Sequence, residues 1–237
     1  MCGIKSIRID LKKSQKAKKE IINSDIYEYE KLLCKSLSKK TGLELFFGDD
    51  SFLEYKKNET GEIISSKKSS KSARQDLMEA INAKDFIYNI FLKNNDEEIH
   101  GANSSHRNKE DFAGGMHIDI ADIENINTKN SSYDIGMIFL HELNHGYFGL
   151  SDPTGDPEIK KTLWRTKFGG EDMHGLYSIT KRGKIGKTVA RVNVYREELG
   201  LPIRISYNSV MDMNGKNRRV PFERRSGKVI WLECFPE

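Results

Sequence analysis

The chain has 237 residues, of which 31% are charged and 37% are hydrophobic, and its formal net charge is +4. This composition indicates a globular protein and excludes disordered and fibrous classes. No run approaches the roughly 18 apolar residues of a membrane span, and the lysine-rich start lacks the apolar stretch of a signal peptide, so we expect a soluble chain without a classical export signal.

Charge is unevenly distributed along the chain. Residues 81–180 hold 9 basic and 16 acidic side chains, whereas residues 181–237 hold 13 basic and 6 acidic ones. An acidic centre favours a basic substrate segment, and a basic tail can contact nucleic acid or a membrane surface. No aromatic residues interleave with the basic ones, so nucleic acid is the less favoured partner. The odd number of cysteines, without metal spacing, predicts free thiols.

The first 66 residues predict a strand, a long helix and a hairpin. Apolar residues alternate with charged ones over residues 5–13, which is typical of a half-exposed strand. Residues 15–40 have the apolar spacing of a helix that ends near Gly42. Residues 43–47 and 51–57 predict strands, with a turn and a further extended segment after them.

The polar, turn-rich segment at residues 67–71 is predicted to divide the chain into two regions. It separates an N-terminal strand-helix-hairpin region, residues 1–66, from a catalytic region, residues 67–237; the alternative is one continuous domain. A helix is predicted at residues 72–83.

Two strands are predicted between this helix and the central motif. Residues 85–92 form a nearly continuous apolar run, which predicts a strand buried on both faces. Residues 116–123 alternate in polarity, and we interpret them either as a plain edge strand or as the edge along which an extended peptide pairs.

The motif H-E-x-x-H stands at His141, Glu142 and His145. Residues four apart lie on one face of a helix, so both imidazoles can bind one metal ion. Glu142 then lies beside the metal, where a carboxylate can take a proton from a metal-bound water. Composition alone gives about 0.01 expected matches in this chain, so the motif predicts a zinc site; a structural pair of histidines is the alternative.

The motif lies in a predicted helix. Ser131 or Ser132 can cap its start, Asp134 complements the helix dipole in the first turn, and Gly149 can end it. An apolar stripe for the core is formed by Ile135, Ile138, Phe139 and Leu143.

Two histidines require a further protein ligand, usually His, Glu or Asp. Gly149 allows the chain to turn sharply out of the helix, so that Asp152 can return to the ion. The alternative for Asp152 is a simple turn before Pro153. Glu198 and Asp212 are the rival third ligands.

The helix, glycine and acid resemble the zincin metallopeptidases, and within them the metzincins. In metzincins the glycine stands three and the third ligand six residues after the second histidine, whereas here the gaps are four and seven. The segment Ser209–Met211 resembles the methionine turn of those enzymes, which would put Met211 beneath the histidines.

Three blocks, residues 70–81, 140–153 and 192–207, resemble the toxin metallopeptidase domains of Rhs-type polymorphic toxins, which are similar to type III secreted zinc-protease effectors. The resemblance implies a zinc peptidase that cleaves a target-cell protein after delivery by a carrier or secretion machine, with an immunity protein as a further expected partner. Many such effectors have a glutamate where this chain has Val192.

Arg204 and Tyr207 are predicted to stabilise the oxyanion that forms when water attacks a peptide carbonyl. Clostridial neurotoxin proteases have a similar arginine and tyrosine. The structural alternative pairs Arg196 or Arg204 with Glu198 and packs Tyr207 in the core.

Together these observations predict an α+β, zincin-like metallopeptidase with a mixed twisted sheet packed on the H-E-x-x-H helix. In the predicted mechanism Zn²⁺ is held by His141, His145 and Asp152, and Glu142 is the base. The alternatives are a catalytically inactive zincin-like binding module and a nucleic-acid-binding protein that uses its basic C-terminal tail.

Overall fold

The computed structural model describes residues 7–9, 24–66, 68–83, 87–94, 96, 101–105, 113–127, 134–152, 159–168, 171–180, 186–201, 204–206, 209–211, 217–219 and 232–233. The helices in this part of the chain are α1 (Ser24–Thr41), α2 (Lys71–Asn82), α3 (Ile120–Asn127), α4 (Ile135–Gly146) and α5 (Lys187–Glu198). The strands are β1 (Ile7–Ile9), β2 (Leu45–Phe47), β3 (Leu53–Tyr55), β4 (Ile87–Lys93), β5 (Ala102–Ser105), β6 (Ala113–Asp119), β7 (Ile159–Phe168), β8 (Glu171–Thr180), β9 (Arg204–Ser206), β10 (Ser209–Met211), β11 (Asn217–Arg219) and β12 (Leu232–Glu233). The fold is therefore a mixture of helices and small sheets, as the predicted α+β class requires.

A mixed sheet in the order β1-β4-β6-β5 lies next to the motif helix. Strands β1, β4 and β6 are parallel, and β5 pairs antiparallel with β6 at the edge. The apolar run that predicted a strand buried on both faces is β4, which lies between β1 and β6 and buries Tyr88, Ile90, Phe91 and Leu92. Its near-continuous hydrophobicity follows from that central position.

The prediction of an edge strand at residues 116–123 is wrong. Residues 116–119 belong to β6, which has partners on both sides, and residues 120–123 belong to helix α3, which begins directly after Asp119. The Asp119 carboxylate accepts a hydrogen bond from the backbone N–H of Asp122 at 3.2 Å, as a helix-capping side chain does. Among the described residues, β5 is the edge strand on this side of the sheet, and it packs against α4.

The remaining strands form smaller sheets. β2 pairs antiparallel with β3, and around the predicted hairpin turn at residues 58–61 Lys57 forms an isolated antiparallel bridge with Ile63. β7 pairs with β8 along their whole length. A second four-stranded sheet has the order β12-β11-β10-β9. Its strand β10 is the segment Ser209–Met211, so the resemblance to a methionine turn does not hold: this backbone pairs with β9 and β11 instead of turning.

One hydrophobic core joins the sheet and the helices. It includes Ile7 of β1, Leu33 and Leu37 of α1, Leu77 of α2 and, from α4, Leu143. The core thus draws side chains from both sides of the predicted division between residues 66 and 67. Of the helices that the structure describes, none combines the length and apolarity that crossing a bilayer demands.

Helix α4 begins differently from the prediction. Asp134 is its N-cap, and the carboxylate accepts a hydrogen bond from Met137 N at 3.0 Å, whereas Ser131 and Ser132 lie outside the described residues. Lys40 of α1 forms an ion pair with Asp134 at 2.5 Å. A carboxylate at this position suits the positive end of the helix dipole, so the cap and the lysine together hold α4 against α1.

Helices α1 and α4 pack closely where α4 has a glycine. A Cβ atom at Gly136 would lie 2.5 Å from Ser36 Oγ and 2.9 Å from the Ser36 carbonyl carbon, and the Gly136 N–H donates to Ser36 Oγ at 3.1 Å. Only glycine permits this approach, because the nearby atoms include backbone.

We predict that Gly136→Ala destabilises the protein by about 1–3 kcal/mol, because the added methyl group must push α1 away from α4. Helix propensity alone predicts the opposite sign, since alanine is the better helix former by about 1 kcal/mol. Urea denaturation measures the free energy of unfolding. Lys35→Ala, an exposed change on α1, is the control and should change it by less than about 0.5 kcal/mol. A more stable Gly136→Ala variant would contradict the packing.

Candidate metal centre

The two motif histidines lie on the face of α4 that meets α5. His141 and His145 are four residues apart, and their Nε2 atoms are 3.1 Å from each other. The rings meet edge to face, with centroids 4.7 Å apart. The helical spacing therefore brings one nitrogen from each imidazole to a shared point.

The chain reverses directly after α4. Gly149 has φ +64°, in the left-handed region that favours glycine, and Leu150 N–H donates to the carbonyl of Asn144 at 3.0 Å. The turn brings the Leu150 carbonyl and then Asp152 back towards His145. The predicted role of Gly149 in redirecting the chain is confirmed, although the helix itself ends at Gly146.

Asp152 is buried and its two carboxylate oxygens have different neighbours. Oδ1 accepts a hydrogen bond from Val189 N at 3.1 Å, in the first turn of α5. The N-cap residue of that helix, Gly186, has no side chain to cap it, so Asp152 supplies the cap from a distant part of the chain. Oδ2 makes no hydrogen bond to a described residue and faces the two histidines.

The three donor atoms form a compact triangle. Asp152 Oδ2 lies 3.2 Å from His145 Nε2 and 3.5 Å from His141 Nε2, and the third side is the 3.1 Å between the imidazoles. Ligands at the usual distances in a tetrahedral zinc site are roughly 3.3–3.6 Å apart. These residues therefore fit a divalent metal with two nitrogen ligands and one carboxylate, and they are the group in the described part of the chain whose geometry does so.

The second nitrogen of His145 fixes how that ring is protonated. Nδ1 lies 2.8 Å from the carbonyl oxygen of Leu150, which can only accept, so Nδ1 carries a proton and Nε2 keeps its lone pair for a metal. The Thr188 hydroxyl lies 3.2 Å from the same Nδ1. Burial by itself lowers the pKa of His145, but Asp152, the Leu150 carbonyl and the charge of Glu142 outweigh it, so the net pKa is raised.

His141 is held in its neutral form. Burial first, and then the positive charges of Arg204, His145 and Arg196, lower the pKa of His141 well below its ordinary value. A neutral imidazole is the form that binds a metal.

Glu142 is buried with 6% of its surface exposed, beside the cluster. Burial raises the pKa of Glu142, with a smaller contribution from Asp152, while the Ser104 hydroxyl and the charges of His145 and Arg204 lower it, and the net pKa is raised. A carboxylate whose pKa is raised takes up a proton more readily.

Arg204 lies beside His141. Its guanidinium NH1 is 3.3 Å from Nδ1 of that ring, on the side away from Nε2. The backbone of Arg204 is held by the Asn193 side chain, which donates to the Arg204 carbonyl and accepts from the Arg204 N–H, both at 2.8 Å. Tyr207 lies outside the described residues, so its predicted role in stabilising an oxyanion stays a prediction.

The rival ligand Glu198 is engaged elsewhere. Its carboxylate accepts hydrogen bonds from the Ser70 hydroxyl and, at 2.9 Å each, from the N–H and hydroxyl of Ser72, at the start of α2. It is therefore not available to the histidine pair, and it does not pair with Arg204 as the structural alternative expected. Asp212 lies outside the described residues.

Sequence reasoning did not find Thr188, Asn193 and Ser104, which surround the cluster. None of them belongs to a motif with metal-ligand spacing. Asn193 carried a weak signal, because it lies in the block at residues 192–207, but only the fold brings it to Arg204.

Comparison of the chain with protein-family models, with curated proteins and with solved structures found no match.

We predict that Asp152→Ala lowers the affinity for Zn²⁺ at least about 100-fold, because it removes one of three protein ligands. Loss of a direct ligand should cost more than the roughly 10–100-fold that is typical when a residue contacting a ligand is removed. Equilibrium dialysis followed by elemental analysis measures the bound metal. Glu198→Ala is the matched control: it removes a carboxylate from the capping of α2 and should leave metal affinity unchanged. Equal metal binding by wild type and Asp152→Ala would rule out Asp152 as a ligand.

Proposed function

We propose that this protein is a zinc-dependent peptidase. The observation that carries the proposal is the triangle of His141 Nε2, His145 Nε2 and Asp152 Oδ2, with sides of 3.1–3.5 Å, next to the buried carboxylate of Glu142. Three protein ligands leave a position for water, which is the arrangement of catalytic rather than structural zinc sites.

Zinc in such a site supplies a water molecule of lowered pKa and polarises a substrate carbonyl. With the metal bound, Glu142 would be the residue that takes the proton of the water and delivers it to the leaving amine. Its burial supports this role, because a carboxylate with a raised pKa holds a proton long enough to pass it on. His145 keeps its orientation through the Leu150 carbonyl, which leaves Nε2 to bind the metal.

A peptide substrate is favoured by the edge strand β5. In the part of the chain that the structure describes, β5 has a partner on one side, β6, and it packs against the motif helix α4. An extended peptide can pair along such an edge and pass beside the cluster. The sequence suggested residues 116–123 as an edge for peptide pairing, and we now propose β5 for that role.

The role of oxyanion stabiliser remains with Tyr207 and Arg204 as proposed residues. The structure brings Arg204 to the neighbourhood of His141, 3.3 Å from Nδ1, on the side of the ring away from Nε2, so its part in this role rests on the sequence resemblance. A toxin or effector that cleaves a target-cell protein is the biological setting that the resemblance of the three sequence blocks implies, and delivery by a carrier and an immunity protein belong to the same proposal.

We predict that Glu142→Gln retains zinc while peptide hydrolysis falls by about 10²–10⁴-fold, because the amide cannot take the proton of water. The assay is incubation of zinc-loaded protein with denatured casein, followed by mass spectrometry of new peptide termini. Glu197→Gln, an exposed change on α5, is the matched control and should cleave as the wild type does.

Two outcomes would contradict this proposal. Unchanged cleavage by Glu142→Gln removes the assigned base. A wild-type protein that binds one equivalent of zinc and cleaves neither casein nor a randomised peptide library supports the inactive binding module instead.

A further inference from the structure

Helix α5 contacts the residues around the metal centre at three places. Val189 N donates to Asp152, and the Thr188 hydroxyl lies 3.2 Å from His145 Nδ1. Asn193, one and a half turns further on, holds the backbone of Arg204. The guanidinium of Arg204 in turn meets His141. Each of the three candidate ligands is therefore connected to this one helix.

We propose that α5 is the orienting helix of the metal centre and that Thr188 and Asn193 are positioning residues, which set the rings of His145 and His141. The inference rests on the proposed function only in that the cluster binds a divalent metal. It does not depend on peptide cleavage. Outer-shell partners of this kind change metal affinity by about 10–100-fold in metalloproteins.

Thr188 is fully buried and acts on one ring. Its hydroxyl approaches Nδ1 of His145 alongside the Leu150 carbonyl at 2.8 Å. Two oxygens on the same nitrogen restrict rotation of the imidazole, so Nε2 stays directed at Asp152. Because the Leu150 carbonyl remains when Thr188 is changed, the loss is expected at the lower end of the outer-shell range.

Asn193 acts through Arg204. Both residues are buried, and the amide of Asn193 bonds both the N–H and the carbonyl of Arg204, as a neighbouring strand would. This fixes the start of β9 relative to α5 and so fixes where the guanidinium can lie. A guanidinium has only donors. It therefore cannot accept the Nδ1 proton of a metal-bound histidine, as a carboxylate or carbonyl usually does, and it restricts the ring of His141 by its bulk.

Helix α5 can orient the candidate ligands because its own position is fixed by contacts to α2 and α4. Arg191 forms two bonds to Asp76 of α2, at 2.7 and 2.6 Å. The Tyr195 hydroxyl donates to the same carboxylate and accepts from Asn144 at 3.0 Å. Asn144 stands inside the H-E-x-x-H motif, so α5 is locked to the helix that carries both histidines.

The test compares Thr188→Val, which keeps the size of the side chain, with Thr188→Ser, which keeps the hydroxyl. Asn193→Ala is the second change, and Glu197→Ala on the exposed side of α5 is the control. Affinity for Zn²⁺ is measured by competition with a chelator, and the visible spectrum of the Co²⁺-loaded protein reports the geometry of the ligands. The unfolding temperature of each metal-free variant is recorded in parallel.

We expect Thr188→Val to lose roughly tenfold in Zn²⁺ affinity and Asn193→Ala roughly 10–100-fold, with altered Co²⁺ spectra. Thr188→Ser and Glu197→Ala should match the wild type. Unchanged affinity and spectra in folded Thr188→Val and Asn193→Ala would overturn the inference. So would a weaker affinity that only follows a lowered unfolding temperature, with the Co²⁺ spectrum unchanged.

These outcomes separate the inference from the proposed function. If the wild type binds Zn²⁺ and the variants weaken it, but no peptide is cleaved, the orienting role stands and the peptidase falls. If the wild type binds no divalent metal, both fall together.

Discussion

The carboxylate of Asp152 is the group on which the site depends. One oxygen completes the N-terminal turn of α5, and the other faces two imidazole nitrogens at 3.2 and 3.5 Å. A buried carboxylate is costly unless positive charge or hydrogen-bond donors surround it. The N-terminus of a helix supplies part of that compensation at Oδ1, and the proposed metal would supply it at Oδ2. Asp152 therefore connects the cluster to the position of α5.

Packing on the other side of α4 fixes the position of the helix that carries the histidines. Gly136 lets α1 approach the start of α4, and Tyr88 of β4 packs against Gly146 at its end. With the core filled by Phe139, Leu140 and Leu143, the helix has little freedom to rotate. The remaining face carries the imidazoles, and the turn at Gly149 closes over it. The motif puts the two rings on one helix face, and the packing of α4 fixes where that face lies.

Side chains of both charges surround the cluster. Arg196 and Arg204 lie on the side of His141, and both are buried. Glu142 and Asp152 are the carboxylates in the same cluster. Burial dominates both shifts and lowers the pKa of His141 while it raises that of Glu142. The nearby positive charges lower both pKa values, and Asp152 raises that of Glu142. A neutral ligand and a basic carboxylate are what water activation requires.

The sequence alone determined the local features. Spacing of four residues put both histidines on one helix face, the glycine after the helix predicted a reversal, and the apolar run at residues 85–92 predicted a central strand. These follow from periodicity and from backbone preferences, which act over a few residues.

Only the tertiary structure decided the partners. It placed Asp152, which the sequence had preferred as third ligand, against the two histidines, and it placed the rival Glu198 at the start of α2. It made β5 and not β6 the edge strand, since strand order depends on which segments meet and not on their own alternation. It also joined Asn193 to Arg204 and Thr188 to His145. Contacts between residues 11 and 43 positions apart leave no periodic pattern in the chain, because they depend on how separate elements pack.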